Sequence, residues 1–583
     1  MRLCHGLLPG ILLLNVFILN HAHANEELLR LSTLPAYRVM PGGNTSNWNF
    51  SELDQINNRN IGRLQAAWTL ATGNLQGHAG SPLVLPSSVT RLTADIIALH
   101  TAAPETVLAI NLDTLEKEWI YEADSNAASV FAACCTLLNR GIAYANGRIF
   151  LYQSDNKLVA LDVRSGKPAW ITPTADSSVL QTRVNVPLTV KDYVITANPG
   201  NDSPGQGWLG AYRTRDGTLM WQANSVGSDA EVLFNADTSN MRRPVGLNSR
   251  AQDGLWLQES GSIGGVLAWD SAENLVYYVS SVVTESGSGA TGRGTRYQTT
   301  LFARDIDTGM ARWIYPLTAG GDWPFDDADD IHLVDLIVND QPVAALVYFS
   351  QSGFVFTLNR GTGELLSAEK YNNSTNWADG IEQGTGEPIR ISATGSTDAG
   401  ASCPAASDTA GFAGPAYSPH TGFFYLPLAF VCQQSTGSSI ANPVGGMARR
   451  QPVVSYLAAA RLADGRSQGG QIIAWDPARA RIAWTIPERR ALWGRALATA
   501  GAVVFYGTLD GYARAVDAQT GRYLWQFKVP SGILGTFSTW IHKDKQFVGI
   551  LSGKGTLPED IYNNKELSGE TMPGGTLTVF SLP

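Results

Sequence analysis

Charge is scarce in this 583-residue sequence. Asp, Glu, Lys and Arg together make up 16% of it, against roughly a quarter in an average globular chain. The 42 basic and 51 acidic residues leave a net charge of −9, and no basic block is long enough to follow a phosphate backbone. Nucleic acid is therefore not an expected partner. Cysteine is rarer still, with five in all and no Cys-x-x-Cys-His motif, so the chain carries no c-type haem of its own. Long apolar runs are missing except for Leu7 to Leu19, which is shorter than the ~20 residues a bilayer span needs and holds Pro9 and Asn15. With Arg2 before it and Ala22-His23-Ala24 after it, this run reads as a secretory signal cleaved after Ala24 rather than an anchor helix. The expected location is periplasmic or secreted, with 25–583 as one domain. Histidine is sparse beyond the leader, at His78, His100, His332, His420 and His542, and no two are spaced as a zinc pair. Four cysteines remain there, Cys134, Cys135, Cys403 and Cys432, an even number that suggests two disulfides in an exported chain.

Glycine (59) and tryptophan (16) are the residues in excess, and a repeat explains both. "AINLDTLEKEW", "ALDVRSGKPAW" and "AYRTRDGTLMW" end at Trp119, Trp170 and Trp221, each 51 residues after the last. The pattern returns at Trp313, Leu366, Trp484 and Trp525, and "AAW" at Trp68 is an eighth copy without its upstream strand. Alternating runs such as "GRIFLYQ" and "VVFYGT" between the copies predict half-buried strands. A period near 50 suits four antiparallel strands and their turns, so the expected fold is all-β, an eight-bladed propeller. The Thr-Gly pairs are expected to turn between outer strands, and each Trp to pack between neighbouring blades rather than line a sugar cleft. Insertions on the top face fill the longer gaps, with Gly/Ser-rich linkers expected at "TESGSGATGRG" and "QQSTGSSIANPVGG".

Several longer segments, "FSELDQINNRNIGRLQAAW", "ACCTLLNRGIAYANGRIF", "LFARDIDTGMARWIY", "WGRALATAGAVVFYGTLDGY" and "GGTLTVFSLP", resemble the quinoprotein methanol and ethanol dehydrogenases. The similarity covers nearly all of residues 25–583 and is nearest to the lanthanide-type methanol dehydrogenase branch. It implies oxidation of a primary alcohol to an aldehyde by pyrroloquinoline quinone (PQQ) with Ca²⁺ or a lanthanide, and a separate c-type cytochrome as electron acceptor. It also implies that Cys134 and Cys135 form a ring-closing disulfide against the quinone, with two buried free thiols as the alternative, that Arg140 and Trp493 contact the cofactor, and that Cys403 and Cys432 form a structural disulfide. A homodimer is an arrangement the family allows.

The family's metal and base positions are altered. Its metal carboxylate falls on Asp202, its metal-binding Asn on Val282 and its catalytic Asp on Pro324, while Asp326 matches the extra carboxylate of lanthanide users. Asp322 and Asp327 are the candidates to replace the base. The Trp beneath the quinone falls on Gly264, Trp269 being read as an outer-strand position. A quinone-binding Glu falls on Ala79, a Thr and a Ser on Val184 and Pro199, and an Arg on Gln351. The acidic run Asp326, Asp327, Asp329 and Asp330 reads either as a solvated loop or as a relocated site for a hard cation. Valine cannot ligate an ion and proline cannot take a proton, so the favoured expectation is a non-catalytic or weakly active paralogue in which PQQ binding is in doubt. The other is an active dehydrogenase with Asp202 and Asp326 on the ion and Asp322 or Asp327 as base.

Overall fold

The computed structural model describes residues 25–75, 77–101, 105–124, 138–139, 141–176, 183–198, 207–245, 260–283, 299–317, 330–338, 340–389, 401, 403–405, 414–444, 447–458, 460–461, 463–555 and 569–583. They form an eight-bladed β-propeller. Blade one holds Leu83–Leu85, Ile96–Thr101, Thr106–Asn111 and Lys117–Glu122, paired antiparallel in chain order from the axis outward. Blades two to seven repeat this order, starting on Ala143–Ala145, Leu188–Val190, Ser260–Asp270, Ile331–Val338, Ala416–Ser418 and Leu497–Thr499. Blade eight takes Phe537–His542, Lys545–Ser552 and Thr576–Ser581 from the C-terminal end and its outermost strand, Gln65–Ala71, from near the start of the chain. Trp68 is thus the outer-strand residue of the last blade, which is why its copy of the repeat lacks an upstream strand.

One contact, repeated, explains the 51-residue spacing. The indole N–H groups of Trp119, Trp170, Trp221, Trp313 and Trp484 donate to Val163, Thr214, Ile306, Arg360 and Ala518, carbonyls in the outer turn of the next blade, at 2.8–3.2 Å. The same turns hold Gly166, Gly217, Gly309, Gly363 and Gly521 at φ between +68° and +73°. A Cβ there would stand 2.4–2.8 Å from the preceding blade's indole. Glycine is needed twice over, for the left-handed backbone and for the space beneath the ring. Blade five carries Leu366 in place of the Trp, and the facing turn of blade six has Ala480 at φ +47° in place of the Gly. Removing the large ring makes room for the small one's methyl.

Three details differ from the sequence expectations. The Gly/Ser-rich stretch read as a linker is a β-hairpin, Val431–Val444 against Met447–Ala458, inserted between the second and third strands of blade six. Trp269 lies on the innermost strand of blade four, Ser260–Asp270, not on an outer one. Asp330 is not solvated, being 3% exposed. The Cys403–Cys432 disulfide is present and ties the hairpin's base to the segment after blade five. The "TESGSGATGRG" stretch lies almost wholly outside the described residues.

Candidate functional site at the propeller axis

Strand direction decides which loops share a face. In a four-stranded antiparallel blade the segment leading into the first strand and the loop from the second to the third strand open at the same end. Ala79 precedes the first strand of blade one, Trp493 and Arg495 that of blade seven and Asp330 that of blade five, while Gln351 follows the second strand of blade five. These residues therefore converge on one face around the axis. The blade-six hairpin leaves from that face too.

The axis itself is filled by residues 36–51, which run past the innermost strands. Ala36 accepts from the Ile541 N–H at 3.0 Å, and Arg38 bridges to Val84. The Asn47 amide donates to Val266, Leu267 and Ile331 carbonyls at 3.0–3.2 Å. The Trp48 indole donates to Leu333 O at 2.7 Å, Tyr417 N–H to Trp48 O at 2.7 Å, and Phe50–Ser51 pairs parallel with Ala498 and Thr499. One stretch thus bonds to six of the eight blades. Asn47 and Asn49 sit at φ +59° and +47°, conformations asparagine tolerates better than most residues.

A buried polar cluster lies on this plug. Arg495 donates from Nη2 to Asp330 Oδ1 at 2.5 Å, and the Val266 N–H donates to the same oxygen at 2.9 Å. Asp330 Oδ2 and Arg38 Nε are buried with no partner. Arg38 donates from Nη2 to Asn49 Oδ1 and to Pro41 O. Burial, and secondarily the charge of Arg495, push the Arg38 guanidinium down to about 9. His332 donates from Nδ1 to Asn47 O at 2.7 Å, and burial holds it at about 4, so it is neutral at pH 7. Among the described residues the cluster contains two guanidiniums and one carboxylate.

Among the predicted site residues, Trp493 is fully buried and packs with Ala79, Ala491, Leu509 and Leu534. Ala79 is 8% exposed and Gln351 3%. Val282 lies in the strand Leu275–Val283 opposite Gly261, and Gly264 opposite Val279. Val184 pairs with Asn139. Cys134, Cys135, Arg140, Pro199, Asp202, Asp322, Pro324, Asp326, Asp327 and Asp329 lie outside the described residues. Among the described residues no group of three His, Cys, Asp or Glu side chains is placed to hold a metal ion. Sequence reasoning passed over Arg38 and Arg495. Only the position of Arg495 two residues after Trp493, in a segment already singled out, pointed towards it.

Comparison with known proteins agrees with this architecture. The family described as PQQ glucose/ethanol/alcohol dehydrogenase, beta-propeller domain, matches residues 39–370 and 445–548. The chain is 36% identical to the lanthanide-dependent methanol dehydrogenase of Methylorubrum extorquens over 96% of its own length and 97% of that protein's. It is 31% identical to subunit 1 of that organism's methanol dehydrogenase [cytochrome c], covering 96% and 93% respectively. It superposes on a europium-containing methanol dehydrogenase with a TM-score of 0.85 at 33% identity, covering 96% of this chain and all of the other.

Proposed function

Since the chain belongs to the PQQ-dependent alcohol dehydrogenase family, we propose that its ligand chamber lies at the top-face end of the axis and that conventional alcohol oxidation there is weak or absent. The observation that carries this reading is the pairing of the second strand of blade four with the strands on either side of it. Val282, at the position where the family's metal-binding Asn is expected, lies in a regular strand with Ser281 opposite both Ser262 and Thr299. A slip of one residue would turn every side chain of that strand to the other face, so no neighbour can take the ligand's place cheaply. Ala79 and Gln351 support it, since a methyl and a neutral amide stand where a carboxylate and a guanidinium are expected.

When bound, PQQ supplies a carbonyl-bearing ring that accepts hydride from an alcohol. The described residues fit part of that group: guanidinium donors suit its carboxylates, but they provide no carboxylate cluster for a metal. Within this chain, Trp493 and Ala79 close the chamber wall, the segment 36–51 seals the axis against water, and Arg495 presents N–H donors. A second reading, an active enzyme, is favoured by the relatives, which are dehydrogenases at up to 36% identity over nearly the whole chain. In it Asp202 and Asp326 hold Ca²⁺ or a lanthanide, Asp322 or Asp327 takes the alcohol's proton, Cys134, Cys135 and Arg140 line the quinone, and a separate cytochrome takes the electrons. Either reading places the protein in the periplasm, with 1–24 removed.

Purified protein reconstituted with PQQ and either Ca²⁺ or La³⁺, then assayed by dye reduction with methanol and ethanol, separates the two. Little or no turnover is expected. Sustained metal-dependent turnover would establish the active enzyme instead.

A further inference from the structure

We propose that the seam between blades five and six is where the ring opens locally, and that the Cys403–Cys432 disulfide is the covalent link of a redox-sensitive strap that keeps it shut. The inference holds whether or not PQQ binds. Three observations fall on this one seam, and the first is at the outer rim. Where Trp119, Trp170, Trp221, Trp313 and Trp484 each donate an indole N–H to the next blade's outer turn, blade five has Leu366 beside Ala480. Leucine carries no donor, so that hydrogen bond is missing here. The second is at the upper end. A cavity of about 460 Å³, its open mouth included, lies between the two blades, lined by Phe349, Gln351 and Tyr371 on one side and Leu426, Pro427 and Leu428 on the other. Atoms beside a void lose dispersion partners on that side. The seam is held between these two places, by Phe349 against Phe424 with ring centroids 5.4 Å apart and, at the axis, by Trp48, which donates to Leu333 O and accepts from the Tyr417 N–H.

Third, a strap crosses the seam at its hollow end. The Trp377 indole donates to Ser352 O, in the upper loop of blade five, at 2.7 Å. Its neighbour Asn376 donates its backbone N–H to Cys403 O at 3.0 Å, and its Oδ1 accepts from the Cys403 N–H at 2.9 Å. Cys403 is bonded to Cys432, just beyond the blade-six strand Phe423–Ala429. Next to the disulfide, the Ala405 N–H donates to Val431 O at 3.0 Å. Cys403 is half-buried and Cys432 5% exposed, so Cys403 is the more accessible end for an attacking dithiol. Thiolate attack on the Cys403 sulfur forms a mixed disulfide and releases Cys432, which takes a proton. The second sulfur of the dithiol then displaces Cys403, which takes the other proton, and the dithiol leaves as a disulfide. Without its covalent link, the strap is tied to blade six by a backbone hydrogen bond that solvent can replace.

Hydrogen exchange followed by mass spectrometry on the full-length folded protein, with and without dithiothreitol, tests this. Reduction is expected to speed exchange in Leu365–Lys370 and Phe423–Ala429, the strands on either side of the seam, by about 10-fold or more. Leu219–Asn224 and Leu275–Val283, the equivalent strands at the seam that Trp221 locks, should exchange as before. Cys403→Ser with Cys432→Ser should reproduce the change without reductant, which separates it from reduction elsewhere in the chain. Adding Leu366→Trp and Ala480→Gly restores the rim contact and should bring exchange at the seam back towards that of the oxidised protein. A merely structural disulfide would, on reduction, raise exchange in all the blades together, and that result overturns the proposal. Unchanged exchange at the seam in dithiothreitol also overturns it. Should the serine variant fail to fold, the dithiothreitol comparison alone decides between these outcomes.

Discussion

Asp330 is the residue on which the axis balances. It holds Arg495, accepts from the Val266 N–H and is the cluster's one described carboxylate. Asp330→Ala leaves the buried Arg495 guanidinium without its carboxylate and should lower stability by about 3–5 kcal/mol, the usual cost of breaking a buried pair from one side. Urea unfolding followed by tryptophan fluorescence measures it. Replacing both partners by apolar residues, Asp330→Leu with Arg495→Met, should recover most of the loss. None of this was legible in the sequence. Arg and Asp are seldom fully buried, and nothing in "YRVMPGG" or "WGRAL" separates a buried arginine from a surface one. Trp493 was found because a long similar segment surrounds it, and it packs fully buried beside Ala79, Ala491, Leu509 and Leu534.

At the scale of the blade, the tryptophan and the glycine of the next turn form a single unit. Gly363→Ala places a methyl against the Trp313 ring at φ +73° and should cost about 2–4 kcal/mol, combining the left-handed penalty with overpacking. The fifth interface offers the converse test. Leu366→Trp alone should destabilise, because Ala480 fills the space an indole needs. Combined with Ala480→Gly it should be tolerated, and a double-mutant cycle in thermal unfolding should give a favourable coupling of about 1 kcal/mol or more. Because one contact recurs around the ring, its residues recur in the sequence, and all eight blades could be counted there. The hairpin Val431–Val444 was hidden for the opposite reason: its pairing depends on backbone register, while its Gly and Ser content resembles a linker. Trp269 was misplaced because a lone Trp followed by Asp mimics the outer-strand signature.

For the whole ring, buried histidines set the acid limit. Burial holds His78 and His332 at about 4 and His100, with His78 as a lesser cause, at about 3. All three are neutral when folded, and each can take a proton near 6.5 when the chain unfolds. Between pH 6.5 and 4 the unfolded state therefore binds more protons, so stability present above pH 6.5 is lost as the pH falls. Unfolding midpoints in urea should decline steadily across that window. His100→Phe should flatten the slope, since both ring nitrogens of His100 are buried without partners; an unchanged slope would show that His100 does not contribute.

The eighth blade also fixes an order of events. Gln65–Ala71 leaves the ribosome about 500 residues before Thr576–Ser581, the strand it pairs with. Until Thr576–Ser581 emerges, the growing protein is an open arc with an unpaired strand at one end and a bare blade face at the other. Closure is then a single late step that joins strands made far apart in time. The stretch 36–51, already reaching across the arc from blade to blade, can hold its curvature until that step takes place.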